Sequence, residues 1–200
     1  MKQKFFTILI TVFTVIVFAG CGDRIVVDIE WYVPDIPDNI SSGVVINGVR
    51  WATRNVGSPG MFADAPESSG GHFQWNRGTT QWDWGWNGNN AQEWERENDP
   101  CPQGWRVPNS NEIQSLKNSM SRIVIVNGVS GMLFGTAPHY LFLPFAGFLD
   151  THGMFNGLGT FGAYWGNTAG WSSGWSNLQF GSVSRASGLS VRCVAITIIW

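Results

Sequence analysis

The stretch Ile123-Val124-Ile125-Val126-Asn127-Gly128-Val129 decides the fold class, and Val44-Val45-Ile46-Asn47-Gly48-Val49 repeats its pattern earlier in the chain. Both central residues of a type I′ turn need positive φ, which Asn and Gly tolerate, and β-branched flanks suit a pleated strand. Each stretch therefore predicts a tight hairpin. Asn-Gly recurs at 87-88 and 156-157 without such flanks. Further strands are expected at Leu141 to Phe145, Ala163 to Trp165, Leu178 to Val183 and Ser190 to Ile198. One helix stands among them, over about 110–120: Asn109 and Glu112 form a capping box, Pro108 stops helix before it, and Ile113, Leu116 and Met120 fall on one face. The expected class is α+β, mostly short antiparallel strands and long loops with one principal helix.

Composition fits a loop-rich domain. Charged residues make up 13% of the chain, against a typical value of about 25%, whereas Trp reaches 12 copies and Gly 25. Cohesion then has to come from indole packing and polar turns. No fixed-period repeat suggests a solenoid or propeller, and the length suits one domain with a real core. Asp23, Asp28, Glu30, Asp35 and Asp38 share a stretch with Pro34 and Pro37, which reads as a tether. From Gly43 onward nine acids face nine Lys plus Arg. A domain so nearly neutral has no basic face for a phosphate backbone, which excludes nucleic acid as a partner.

The first residues fix the compartment. Lys2 and Lys4 precede an uncharged apolar run from Phe5 to Phe18, and Ala19-Gly20-Cys21 follows. A basic start, a short apolar run and a small-residue cleavage site make a secretory signal. A spanning helix needs roughly 20 apolar residues, so this run is expected to be removed. Val17-Phe18-Ala19-Gly20-Cys21 resembles the bacterial lipobox, which implies a lipidated Cys21 anchored in membrane lipid; the alternative is an ordinary signal peptide with Cys21 a free thiol. The expected layout is a signal at 1–20, an acidic tether at 21–42 and a domain at 43–200. The expected location is the cell envelope, lipid-anchored, at the outer membrane with the domain in the periplasm or on the cell surface. Of the three cysteines, lipidation of Cys21 leaves Cys101 and Cys193 as an even pair in a disulfide-permissive compartment. A disulfide is expected between them, the alternative being two buried thiols.

Four blocks occur in order: Val44-Val45-Ile46-Asn47-Gly48-Val49-Arg50-Trp51-Ala52-Thr53-Arg54-Asn55-Val56, Asn98-Asp99-Pro100-Cys101-Pro102-Gln103-Gly104-Trp105-Arg106-Val107-Pro108, Phe142-Leu143-Pro144-Phe145-Ala146-Gly147-Phe148 and Ser190-Val191-Arg192-Cys193-Val194. Together they resemble the Fibrobacter succinogenes major paralogous domain family, common in exported lipoproteins of Bacteroidetes, over residues 43 to 195. The resemblance implies a fold related to the C-type lectin-like and formylglycine-generating-enzyme domains. In such domains the chain ends meet in neighbouring strands and a long irregular region carries the variable ligand surface. Trp51, Gly104, Trp105, Arg106, Pro108 and Arg192 are read as structural marks of the family and not as its site. Trp105 is placed to staple helix to sheet, and Arg106 to pair with a carboxylate.

No enzyme is expected. Formylglycine-generating enzymes use an active-site cysteine pair, and here Cys101 and Cys193 are better explained as a structural bridge. His72, His139 and His152 lack zinc-site spacing, and no Gly-x-Ser-x-Gly elbow is present. No metal or other cofactor is expected. Trp175-Ser176-Asn177 stands where lectins of that type carry Trp-Asn-Asp, and Asp64, Asp83 and Asp150 are isolated, so Ca²⁺ is possible but not predicted.

Two segments could present a ligand surface. In Trp82-Asp83-Trp84-Gly85-Trp86-Asn87-Gly88-Asn89-Asn90 the alternation on an extended chain puts three indoles on one face and Asp83 and Asn87 on the other. That face lies either on the core or on a ligand. The region from Asp150 to Ser187 carries many glycines and little core pattern, and Asp150, Asn156, Asn167, Trp171, Trp175, Asn177 and Arg185 are its candidate ligand-binding residues. Trp165 is read as structural. Indole faces stack on sugar rings or anchor protein partners, and amides fix orientation. The expected function is a non-catalytic binding module for a glycan or surface protein, which also resembles the variable proteins of diversity-generating retroelements. The alternative is a structural or assembly subunit of a cell-surface or fimbrial complex.

Overall fold

The computed structural model describes residues 43–87, 91–168, 170–173, 178–180 and 183–196, the side chains of 170–173 and 178–180 excepted. Both β-branched Asn-Gly stretches form hairpins. Strands β1 (Val44–Ile46) and β2 (Val49–Trp51) pair antiparallel with Ile46 opposite Val49, across a turn in which Asn47 and Gly48 have φ of 48° and 81°. A bulged ribbon of β3 (Val56–Ser58) and β4 (Met61–Phe62) follows, then β5 (Phe73–Gln74), a 3-10 turn at Arg96–Asn98, β6 (Trp105–Arg106) and helix α1 (Ser110–Lys117). The second hairpin joins β7 (Ser121–Val126) to β8 (Val129–Thr136), with Asn127 and Gly128 at φ of 48° and 81°. Strand β9 (His139–Pro144) completes that antiparallel sheet of three. The chain continues through β10 (Phe148–Leu149), β11 (Phe155–Asn156), β12 (Gly162–Trp165), β13 (Gly170–Ser173), β14 (Leu178–Phe180), β15 (Gly188–Leu189) and β16 (Val194–Ala195).

Among the described residues, mostly antiparallel strands with one α-helix is therefore the observed class. Two four-stranded sheets have orders β1-β2-β16-β6 and β11-β10-β15-β5. Strand β16 lies between β2 and β6, so the last described strand pairs with one of the first: Val194 stands opposite both Trp51 and Arg106.

Helix α1 begins as its residues dictate. The Asn109 side chain accepts from the Glu112 amide at 3.0 Å, and the Glu112 carboxylate accepts from the Asn109 amide at 2.8 Å. Ile113 and Leu116 are buried against Val44, Ile46, Trp51, Leu141 and Leu143. The expected helical face does not extend to Met120, which is 73% exposed. The helix stops because Ser119 folds back, its amide and hydroxyl both donating to the Leu116 carbonyl, and the Met120 carbonyl accepts from Gly135 of β8.

A second core surrounds three indoles. Trp75, Trp94 and Trp165 pack at centroid separations of 5.3 to 6.1 Å in tilted and edge contacts, the geometry that ring quadrupoles favour. Trp165 is structural, as expected: it is fully buried and its Nε1 donates to the Phe73 carbonyl at 2.6 Å.

The expected strand from Ser190 to Ile198 is regular only at Val194–Ala195 among its described residues. Upstream, the Val191 and Cys193 carbonyls accept from Val56 and Ala52, and Val191, Arg192 and Cys193 are all buried. Arg192 donates from Nε to Asn55 Oδ1 at 2.8 Å and from Nη1 to the Ala52 carbonyl at 3.1 Å. Burial pushes its guanidinium down to about 10, so Arg192 is an internal brace. Burial likewise pushes the Tyr164 hydroxyl up to about 12, while that hydroxyl donates to the Pro144 carbonyl at 2.6 Å. Cys101 and Cys193 form the disulfide, with Cα atoms 6.0 Å apart.

Candidate functional site

Trp84 departs from the way this chain treats its tryptophans. Trp51, Trp75, Trp94 and Trp165 are buried, Trp82, Trp86 and Trp105 are half-buried, and Trp84 is 73% exposed. Over its described residues, 82–87, the segment does not run extended as the reading of its alternation supposed. Asp83 accepts the Gly85 amide on Oδ1 at 2.9 Å and its carbonyl accepts the Trp86 amide at 3.2 Å, which makes a turn and splits the three indoles. Trp86 points back, donating from Nε1 to the Trp75 carbonyl at 3.0 Å, with the Arg77 guanidinium 5.1 Å from its ring centroid. Trp82 packs inward on Gly188, where a Cβ would lie 2.8 Å from its ring. Trp84 is left on the outside, edge-on to Trp82 at 6.1 Å.

Beside Trp84 stands the β10–β11 hairpin. Its turn is built by Asp150, whose Oδ1 accepts from the His152 and Met154 amides at 2.8 and 3.0 Å and whose Oδ2 accepts from Asn156 Nδ2 at 3.2 Å. The Met154 amide above all, with the His152 amide and the Asn156 side chain, holds the Asp150 carboxyl below its ordinary value. Gly153, at φ of 71°, is the residue that lets Trp84 come close: a Cβ there would lie 3.3 Å from the Trp84 ring edge. Past the turn, Met154, Phe155 and Leu158 are each more than half exposed. The Phe155 ring meets the His72 imidazole edge-on at 5.2 Å. His72 is buried beneath it, near the Ala146 carbonyl at 3.2 Å, and desolvation lowers its pKa. Trp84 and the turn thus share one exposed surface on a hydrogen-bonded base, and Phe155 stands further along the same hairpin.

The sequence-expected ligand residues separate into three groups. Asp150 and Asn156 come together, as the brace of that turn. Arg185 lies with its guanidinium 5.2 Å from the Trp75 ring centroid. Asn167 belongs to a different place, its amide donating to the Pro108 carbonyl at 2.8 Å and its carbonyl accepting from Trp94 at 2.7 Å. Trp171 lies in β13 with only its backbone described, and Trp175, Asn177 and Cys21 lie outside the described residues. Sequence reasoning did not single out Met154, Phe155 or Leu158, and weighed His72 only as a zinc ligand. The usable signal was Asp150-Thr151-His152-Gly153, a polar turn sequence whose next residues fall at a hairpin tip too small to bury them.

The family-marking residues lie elsewhere. Arg106 pairs with Glu112 through both carboxylate oxygens, at 2.8 and 2.5 Å, which ties β6 to α1. That pair makes the link between helix and sheet expected of Trp105. The Trp105 indole itself is half-buried, edge-on to Phe62 at 5.6 Å and close over Gly43.

Among the described residues, no group of three or more His, Cys, Asp or Glu side chains could hold a metal ion, and no helix is long and apolar enough to cross a membrane. In comparisons with family models, with curated proteins and with solved structures, the chain finds no match.

Proposed function

We propose that the chain is a non-catalytic binding module of the cell envelope, tethered by a lipidated Cys21, that takes a glycan on the surface made by Trp84 and the β10–β11 hairpin. The observation that carries this reading is the 73% exposure of Trp84 in a chain that otherwise puts its described indoles partly or wholly inside. A flat indole face held out to solvent suits stacking on a sugar ring. The hairpin sets the Thr151 hydroxyl and the His152 imidazole, both exposed, close by to fix orientation. The proposal includes membership of the major paralogous domain family with its C-type lectin-like fold. The pairing of β16 with β2 and the Cys101–Cys193 bridge support that placement, because they join the first and second of the resembling blocks to the last.

The test is a glycan and protein array with the wild-type chain and with Trp84→Ala and Trp165→Ala. Trp84→Ala is expected to abolish the array signal with a nearly unchanged thermal midpoint. Trp165→Ala should destabilise by about 3–5 kcal/mol, the usual cost of truncating a buried Trp. Unchanged glycan binding by Trp84→Ala rejects the surface.

Met154, Phe155 and Leu158 favour a second reading, since three large apolar residues exposed within five positions of the chain suit a surface that a protein partner covers. An assembly subunit would bury them permanently. A protein signal on the array without any glycan signal selects that reading.

A further inference from the structure

Away from the Trp84 surface, a cleft of about 490 Å³ opens between the Arg96–Asn98 turn and the loop that carries Cys101 and Gly104. Its volume lies within the range of small-molecule sites, about 300 to 1,000 Å³. Trp94, Trp105 and Asn167 line it together with Arg96, Asp99 and Gln103. Neither indole is loose. Trp94 donates from Nε1 to the Asn98 carbonyl at 2.8 Å, and Trp105 is held by Phe62 and Gly43.

The charges of the cleft are unevenly spent. Arg106 is committed to both Glu112 oxygens and to the Val107 carbonyl. Asp99 accepts one backbone amide on each oxygen, from Cys101 at 2.9 Å and from Val107 at 3.0 Å. Arg96 is the exception. It is exposed, it feels the Asp99 charge without bonding it, and its guanidinium meets no acceptor among the described residues.

The other open groups are donors as well. The Trp105 amide donates to the Pro102 carbonyl at 2.9 Å and closes a turn in which Gly104 has φ of 85°. The Gln103 and Gly104 amides of that turn have no acceptor among the described residues. The Trp105 Nε1–H is also unbonded and, unlike those of Trp51, Trp75 and Trp82, it is not enclosed. Such a wall calls for acceptors on the ligand, and Arg96 calls for a negative one. The planar fork of an Arg matches a carboxylate through two parallel hydrogen bonds. With one uncommitted cation and Asp99 in the same wall, a monoanion fits, whereas a phosphate dianion would bring an excess of negative charge. Hydroxyl oxygens supply the neutral acceptors that the turn amides lack, and an indole suits a sugar ring.

We propose that this cleft is a second binding site, for a uronic-acid residue whose carboxylate pairs with Arg96 and whose ring lies against Trp105. The site is independent of the Trp84 surface, so either can fail without the other.

Isotope-labelled full chain is titrated with glucuronate and galacturonate, and separately with glucose, galactose, acetate and inorganic phosphate. The signals read are the Arg96 Nε–H and the Trp105 Nε1–H. At least one uronate is expected to move both signals to saturation, with its neutral parent sugar and acetate each weaker by about 10-fold or more. Arg96→Gln should weaken that uronate about 10- to 150-fold, the worth of a charge-assisted hydrogen bond, and Trp84→Ala should leave it unchanged. Gln103→Trp, made at an exposed position of the lining, should remove the response. Both lining variants alter exposed residues and should keep the wild-type thermal midpoint. A neutral sugar or acetate that binds as tightly as the uronates overturns the proposal. So does movement by phosphate alone or by none of the probes, and so does an unaltered uronate response in Arg96→Gln or Gln103→Trp.

Discussion

Reducing the Cys101–Cys193 bridge should cost this fold much of its stability, for a reason that can be worked from the topology. The bridge closes a loop with a sequence separation of 92 residues. In the chain-entropy model a loop of that length lowers the entropy of the unfolded chain enough to stabilise the native state by about 4.6 kcal/mol at 25 °C. Cys193 precedes β16, the strand held between β2 and β6, so the bridge ties the loop before β6 to the strand that joins both ends of the sheet. A domain of this size shifts its midpoint by about 2–4 °C per kcal/mol, and the expected fall is therefore about 9–18 °C. Thermal unfolding followed by circular dichroism, with and without a phosphine reductant, measures it, and non-reducing peptide mapping checks the bond in each sample. Reduction leaves both sulfur atoms in place and isolates the cross-link. The Cys101→Ala/Cys193→Ala variant should fall further, because Cys193 is fully buried and its truncation leaves a void. A fall of less than about 4 °C on complete reduction, well under the range set by that conversion, would refute the loop-closure reasoning.

His72 should make the fold acid-sensitive. Desolvation lowers its folded pKa below the ordinary 6.5, so the unfolded chain takes the proton first. Stability is then full above pH 6.5 and falls as the pH drops from there toward the folded value. The thermal midpoint between pH 7.5 and 5 should decline less in His72→Gln, and equal slopes would remove His72 as the cause. Asp150→Ala should release the β10–β11 turn, seen as faster hydrogen exchange at the His152 and Met154 amides with little change in the global midpoint. In the wild-type chain the protection of those amides, the slowing of their exchange relative to the free peptide at the same pH, should fall as the pH drops through the lowered Asp150 value, because protonation weakens the acceptor they use. Cys21→Ser should move the chain from the membrane fraction to the soluble one, and retention in membranes would reject the lipid anchor.

Much of the scaffold was legible in the residues because local chemistry decided it. Asn47-Gly48 and Asn127-Gly128 tolerate the positive φ that a type I′ turn requires, and their β-branched flanks set the strand register on either side. Asn109 and Glu112 complete their hydrogen bonds within three residues, so the start of α1 needs no tertiary help. With Cys21 set aside for the proposed lipid anchor, cysteine arithmetic left Cys101 and Cys193 as the pair. Tertiary packing decided the rest. The exit of α1 depended on Met120 docking at β8, and the fate of Trp82, Trp84 and Trp86 depended on an Asp83 turn and on the room left at Gly153 and Gly188. Alternation along a chain assigns side chains to faces only while the chain is extended. Once Asp83 turns it, one indole goes to the solvent and another to a backbone carbonyl. The cleft beside Asn167 is legible from no single segment, since Trp94, Trp105 and Asn167 meet only when the sheet and the loops around it have closed.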